Sequence, residues 1–101
     1  MAYTTIDNPG IYFNTVIYTG NGTAIGSGGQ AITGVGFQPD WVWIKDRTDA
    51  DRPRMFDAVR GVTKELDSSD NTAETTLTEG LTAFGSDGFT VGNHAGVNSG
   101  S

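Results

Sequence analysis

The chain has 101 residues, no cysteine, and six Lys plus Arg against twelve Asp plus Glu, for a formal net charge of −6. A single domain of this size buries only about 60–65% of the surface its unfolded chain exposes, and without cysteine neither a disulfide framework nor a Cys-based zinc site reinforces it. The acidic balance repels a phosphate backbone, which excludes sequence-independent nucleic-acid binding. No apolar run approaches the ~20 residues that span a bilayer, and MAYTTIDNPG has neither the basic nor the apolar region of a secretory leader, so a soluble, unsignalled chain is expected. Fifteen glycines set among Thr, Ser, Asn and Asp read as many short strands joined by turns. Two Trp, three Tyr and five Phe supply the apolar area that a disordered chain lacks.

Residues 1–10 read as a polar N-terminal arm ending in the turn cluster Asp7-Asn8-Pro9-Gly10. Ile11 to Thr19 follows as a first strand, with Phe13, Thr15 and Ile17 on one face and Tyr12, Asn14, Val16 and Tyr18 on the other. Gly20-Asn21-Gly22 and Gly26-Ser27-Gly28-Gly29 supply residues that tolerate positive φ, and between and after them lie the β-prone segments Thr23–Ile25 and Gln30–Thr33. Because no Lys follows and no helix opens, these glycines read as hairpin loops in preference to a phosphate cradle.

The densest β-prone run is GFQPDWVWIKD, Gly36 to Asp46. Pro39 sets its own φ and extends Gln38, after which Trp41–Asp46 reads as a central strand. Trp41, Trp43 and Lys45 share one side, while Val42, Ile44 and Asp46 share the other. Large apolar groups on both sides predict a strand covered on both faces, with both indoles in the core.

Arg47–Pro53 is charged and reads as a surface loop. From Arg54 to Val59 a helix is conceivable behind Pro53, but Gly61 breaks its stripe, so a strand is preferred that pairs with 41–46 as a hairpin. That strand carries Met55, Asp57 and Val59 on one face and Arg54, Phe56 and Ala58 on the other. Thr63–Leu66 is a short strand and Asp67–Asn71 a turn. Residues 72–84 are Thr-rich, with Gly80 as a bulge or bend. Ser86-Asp87-Gly88 is a hairpin-type turn, and Phe89–Val91 a strand whose Phe and Val face the same way. Gly92–Ser101 carries Val97 as its one large apolar residue and reads as a loop-like tail. The expected sandwich therefore spans 11–91, with a core of Phe13, Ile17, Phe37, Trp41, Val42, Trp43, Ile44, Phe56, Val59, Phe84, Phe89 and Val91.

Four stretches carry a resemblance to a known family: AYTTIDNPGIYFNTVIYTGNG, GFQPDWVWIKDR, FDAVRGVTKEL and FGSDGFTVG. Together they resemble a family of domains found in virion proteins of tailed bacteriophages. That family is described as similar to concanavalin A-like lectin and glucanase folds. The resemblance covers nearly the whole chain and implies an all-β, antiparallel two-sheet sandwich of jelly-roll type. It also implies a location in the virion, associated with capsid or tail, with a structural or host-surface-binding role. Members usually continue past a segment like GVNSGS into an aromatic strand of the YVAW type, so it implies a sandwich incomplete at its C-terminal end.

The chemistry-bearing residues form no strong constellation. His94 is the one histidine, without a Cys or second His to share a metal, and reads as a surface residue. No GxSxG elbow accompanies it, so a Ser-His-Asp set is not supported. Glu65, Glu74 and Glu79 lie in segments too polar to raise a catalytic carboxyl, and Asp57, beside Arg54 and Arg60, reads as a paired structural acid. Asp46, Asp49 and Asp51 are calcium candidates at a strand end, although the spacing is not that of an EF-hand and Arg47 and Arg52 offset the charge. A solvated salt-bridging loop is the simpler reading. Tyr3, Tyr12 and Tyr18 are the candidates for stacking on sugar rings, weighed against interface packing.

The expected function is a non-enzymatic structural protein, without cofactor or membrane insertion, whose partners are copies of itself and other virion proteins. Strand addition by the N-terminal arm or the C-terminal tail of a neighbouring copy is the expected mode. The alternative is a module that binds a host-surface polysaccharide.

Overall fold

In the computed structural model, which describes residues 12–100, seven short strands lie between turns rich in Gly, Asp, Ser and Asn. In chain order these are β1 (Gln30–Ile32), β2 (Trp41–Ile44), β3 (Arg54–Asp57), β4 (Lys64–Asp67), β5 (Thr75–Thr76), β6 (Leu81–Gly85) and β7 (Gly88–Val91), followed by one short helix, α1 (Ala95–Asn98). They build two antiparallel sheets, ordered β1-β7-β6 and β2-β3-β4-β5. The protein is an all-β sandwich.

One face of each sheet supplies the core. Val42 lies opposite Phe56 across β2 and β3, and Ile32 lies opposite Phe89 across β1 and β7. These side chains, with Ile44, Leu81, Val91 and Val97, form one buried cluster, against which Val16, Tyr18, Leu77 and Phe84 pack from its margins. Alternation makes this possible, because every second residue of each strand points inward.

The β6–β7 hairpin turns at Ser86-Asp87, as its sequence predicts. Asp87 then holds the β1–β2 connection: its carboxylate accepts from the Gly34 and Gly36 amides at 2.9 and 2.6 Å, and its carbonyl from Val35 at 3.0 Å. Gly34 and Gly36 have φ of 88° and 92°, a region where a side chain is strained, and this brings both amides onto one carboxylate. The β6 bulge falls between Leu81 and Ala83 instead of at Gly80. Gly80 closes a turn onto the Leu77 carbonyl and lies so close to the Phe56 ring that a Cβ would collide with it.

Several expectations are corrected. Among the described residues β2 is an edge strand whose neighbour is β3 alone, and Trp41 and Trp43 are 50% and 59% exposed. Both faces of β2 are apolar, but a two-layer sandwich has one inner face, and Val42 and Ile44 occupy it. The segment 12–19 forms no ladder among the described residues. It keeps its two-residue alternation but turns Val16 and Tyr18 inward, leaving Phe13 and Ile17 at 68% and 70% exposure. Val59 is 98% exposed, because β3 ends at Asp57 and a turn closed by Gly61 onto the Asp57 carbonyl carries Val59 outward. Phe37 is half-buried and lies outside the core cluster.

The C-terminal residues are a packed element instead of a loop-like tail. Val97 enters the core, and Asn98 is fully buried. The Asn98 amide donates to the Gly92 carbonyl and to Asn21 Oδ1, while its side-chain and main-chain oxygens accept from the Asn21 and Gly22 amides. The N-terminal arm, residues 1–10, and Tyr3 within it lie outside the described residues.

Candidate functional site

Between β2 and the extended segment 12–20 runs an open groove of about 1070 Å³. Gln38–Asp40 leads into it, Lys45–Thr48 leads out, and Val97, Ser99 and Gly100 close one end. The N-terminal wall is tied down by its own polar groups. Tyr18 Oη donates to the Val97 carbonyl at 2.6 Å, Asn14 Nδ2 to the Val35 carbonyl at 3.1 Å, and Gln30 Nε2 to the Thr19 carbonyl at 3.0 Å. The Tyr18 ring meets Phe89 edge to face, with centroids 6.4 Å apart. Burial pushes the Tyr18 phenol up to about 12, with the Asp46 carboxylate adding to the shift, so it stays a hydrogen-bond donor across the neutral range.

Trp41 and Trp43 stand on the outer face of β2, two residues apart, with ring centroids 6.3 Å apart and planes tilted by 33°. The register continues their face inward over the sheet, since Trp43 is paired with Met55 and Met55 with Leu66. Tyr12, Phe13 and Ile17 are exposed on the facing wall. The charged side chains at the groove, Asp40, Lys45, Asp46 and Arg47, sum to zero, in a chain whose net charge is −6.

The backbone of β2 is as informative as its side chains. Ala58 donates to the Asp40 carbonyl at 2.8 Å, which makes 40 and 58 a hydrogen-bonded pair in the register that sets Trp41 opposite Asp57. Such pairs alternate with non-bonded ones along an antiparallel ladder. Val42 and Ile44 therefore aim their N–H and C=O groups at β3, while those of Trp41 and Trp43 face the groove. On the opposite wall, residues 12–20 make no backbone-to-backbone hydrogen bond among the described residues.

The acidic candidates do not converge. Asp46 accepts from the Thr48 and Asp49 amides, and these bonds, the Asp49 one first, hold its carboxyl below the usual range. Lys45 Nζ donates to the Asp46 and Asp49 carbonyls. Asp46, Asp49 and Asp51 thus form a capped surface loop, and among the described residues no three His, Asp or Glu side chains gather as a metal site. Asp40 and Asp46 lie before and after β2, at opposite ends of the strand. Asp57 is ion-paired with Arg60, which also reaches Glu74. Glu79 accepts from the Ile25 and Asn93 amides and ties two loops together. His94 caps α1, its Nδ1 accepting from Gly96 at 3.0 Å.

Glu65 departs from its expected polar setting. It is 4% exposed and accepts from Arg54 Nη1 at 2.6 Å, since β3 and β4 carry the two residues into the core layer beside Phe56. The cue was positional, for Arg54 shares the Phe56 face. Tyr12 and Tyr18, paired as sugar-stacking candidates, separate here: Tyr12 is exposed at the groove, and Tyr18 is a half-buried anchor packed against the core.

Fold and groove together define a small antiparallel β-sandwich in which the β2 edge, unpaired among the described residues, lies beside a row of exposed aromatic side chains. The chain belongs to a family described as a domain of unknown function, DUF7483, whose profile matches residues 8–101. No curated protein and no solved structure matches it. No helix among the described residues is long and apolar enough to cross a membrane.

Proposed function

We propose that this chain is a non-enzymatic structural component of a tailed-phage particle, located in the virion with capsid or tail, and that it works by assembling with copies of itself and with other particle proteins. The observation that carries the assembly reading is the groove, where exposed Trp41, Trp43, Tyr12, Phe13 and Ile17 surround a strand edge that has no ladder partner among the described residues. Clustered aromatic side chains with few net charges are the composition of an interface centre. The phage setting rests on the resemblance of the four sequence stretches. Sedimentation velocity across micromolar concentrations tests the assembly. The wild type associates, and a Trp41→Ser/Trp43→Ser double variant stays monomeric while folded. A wild type that is monomeric throughout overturns the reading.

One observation favours a second function, a carbohydrate-binding module for a host-surface polysaccharide. Two indoles on one face, 6.3 Å apart along an open groove, form a platform on which pyranose rings stack. Titration with polysaccharides, followed by tryptophan fluorescence, separates the two readings. Saturable quenching that is lost in the double variant supports the module, and unchanged emission removes it.

A further inference from the structure

We infer that His94 is a pH-sensitive latch: with its ring neutral it fastens α1 across one end of the groove, and with its ring protonated it lets α1 and the adjoining wall go. The latch works in the same way whatever the groove binds.

α1 is four residues long, too short to hold by its own hydrogen bonds, and its first turn is fixed from outside. The His94 amide donates to the Glu79 carbonyl at 3.0 Å, the His94 carbonyl accepts from the Val97 and Asn98 amides, and Nδ1 accepts from the Gly96 amide at 3.0 Å. Gly96 is buried, and among the described residues its amide has no other acceptor. A buried amide left without a partner is destabilising. Accepting that bond takes the lone pair that a proton on Nδ1 would occupy, so the ring that caps α1 is neutral, with its proton on Nε2.

The groups around the ring favour that form. From β3, Arg54 brings a buried guanidinium whose Nε has no hydrogen-bond partner among the described residues. Gly96 lies between the two side chains: a Cβ built on it would meet Arg54 Nε at 3.0 Å and His94 Nδ1 at 3.3 Å. From β4, Glu65 is engaged with Arg54 Nη1 at 2.6 Å, and from the β5–β6 connection Glu79 holds the Ile25 and Asn93 amides with its carboxylate. A proton on Nδ1 therefore meets two N–H groups and a positive charge, while both carboxylates are already occupied. Histidine changes charge between about pH 5 and 8, where carboxylates ordinarily stay ionised. The latched form takes up no proton at Nδ1, so it loses ground as pH falls through that range.

What α1 releases is the end of the groove. Val97 places its side chain in the core and its carbonyl on Tyr18 Oη, and Asn98 holds the Asn21 and Gly22 amides. Both residues belong to the capped turn. Freeing it frees the anchors of residues 18–22.

NMR on the wild-type chain between about pH 8 and pH 5 tests this through the His94 ring signals and the exchange protection of the Gly96 and Gly22 amides, corrected for the intrinsic pH dependence of exchange. As the ring takes up its proton, both amides lose at least about tenfold in protection, while the Phe56 amide on β3 keeps its own. In His94→Asn, an uncharged residue that caps helices, protection is the same at both ends of the range. Circular dichroism checks the fold of the variant, and the wild-type readouts stand without it. Protection at Gly96 and Gly22 that stays constant while the ring titrates overturns the latch. An equal loss in His94→Asn places the sensor on another group and overturns the role of His94. Loss at Phe56 in step with the other two is unfolding of the whole sandwich, and it overturns the latch as well.

Discussion

Neighbours along β2 live in different surroundings: Val42 and Ile44 lie within the core, while Trp41 and Trp43 between and beside them face outward. Burial decides what each is worth to the isolated fold. Phe56→Ala removes a fully buried ring and should cost about 3–5 kcal/mol, whereas Trp43→Ala should change stability by only about 0.5 kcal/mol. Urea denaturation of the dilute chain measures both, and a Trp43 loss as large as that of Phe56 would contradict the exposed face. Glu65→Gln leaves the buried Arg54 guanidinium without its counter-charge and should cost about 3–5 kcal/mol, more than the change of one atom implies. Glu65→Gln combined with Arg54→Met should recover much of that loss, and a double variant no better than the single one refutes the pairing. Alternation along β2 and β3 was legible in the sequence, because period two needs only residue types. Which side of β2 faces inward was not, since both are apolar and the choice belongs to the partner sheet. The inward ion pair was hidden for the same reason, as its partners come from different strands.

The connections between elements are set by a few side chains acting on backbone. Asp87 joins the β6–β7 turn to the β1–β2 connection, and the Gly34 amide first, then that of Gly36, hold its carboxyl below the usual range. A carboxyl lowered by folding stabilises the fold fully above its unfolded value of about 3.9, and that contribution is lost as pH falls through the lower folded value. Asp87→Asn should therefore melt below the wild type at pH 7, with the gap closing in the acid range below about pH 4. Melts of both proteins at pH 7 and pH 3 check the sign, and a gap that widens in acid is the contrary result. At the other end of the chain, Asn98→Ala removes three side-chain hydrogen bonds between α1 and residues 21 and 92, and should cost about 1–3 kcal/mol with faster exchange at Asn21. The Ser86–Gly88 turn and the strand after it were readable, because turn chemistry is local. α1 was not: Ala95-Gly96-Val97-Asn98 carries no helical stripe, and its shape is imposed by the buried Asn98 and the His94 cap.

At the scale of the molecule, a sandwich built from strands of two to five residues has a thin core, and its largest exposed apolar side chains are gathered along one groove. Two sheets could be foreseen from strand spacing, yet their order could not, because residue types do not say which edge lies outermost. The order matters to function, for among the described residues it leaves the indole-bearing strand without a partner on its outer side. If a neighbour covers that edge, association and folding are linked, and stability must depend on concentration. A tenfold rise in protein concentration is worth about 1.4 kcal/mol for each pairing event, shared between two chains, and should raise Tm by roughly 3–6 °C in a domain of this size. The Trp41→Ser/Trp43→Ser chain should melt at one temperature at every concentration, near that of the dilute wild type. Calorimetry over two decades of concentration makes the comparison. Identical slopes for the two proteins would place the association on some other surface.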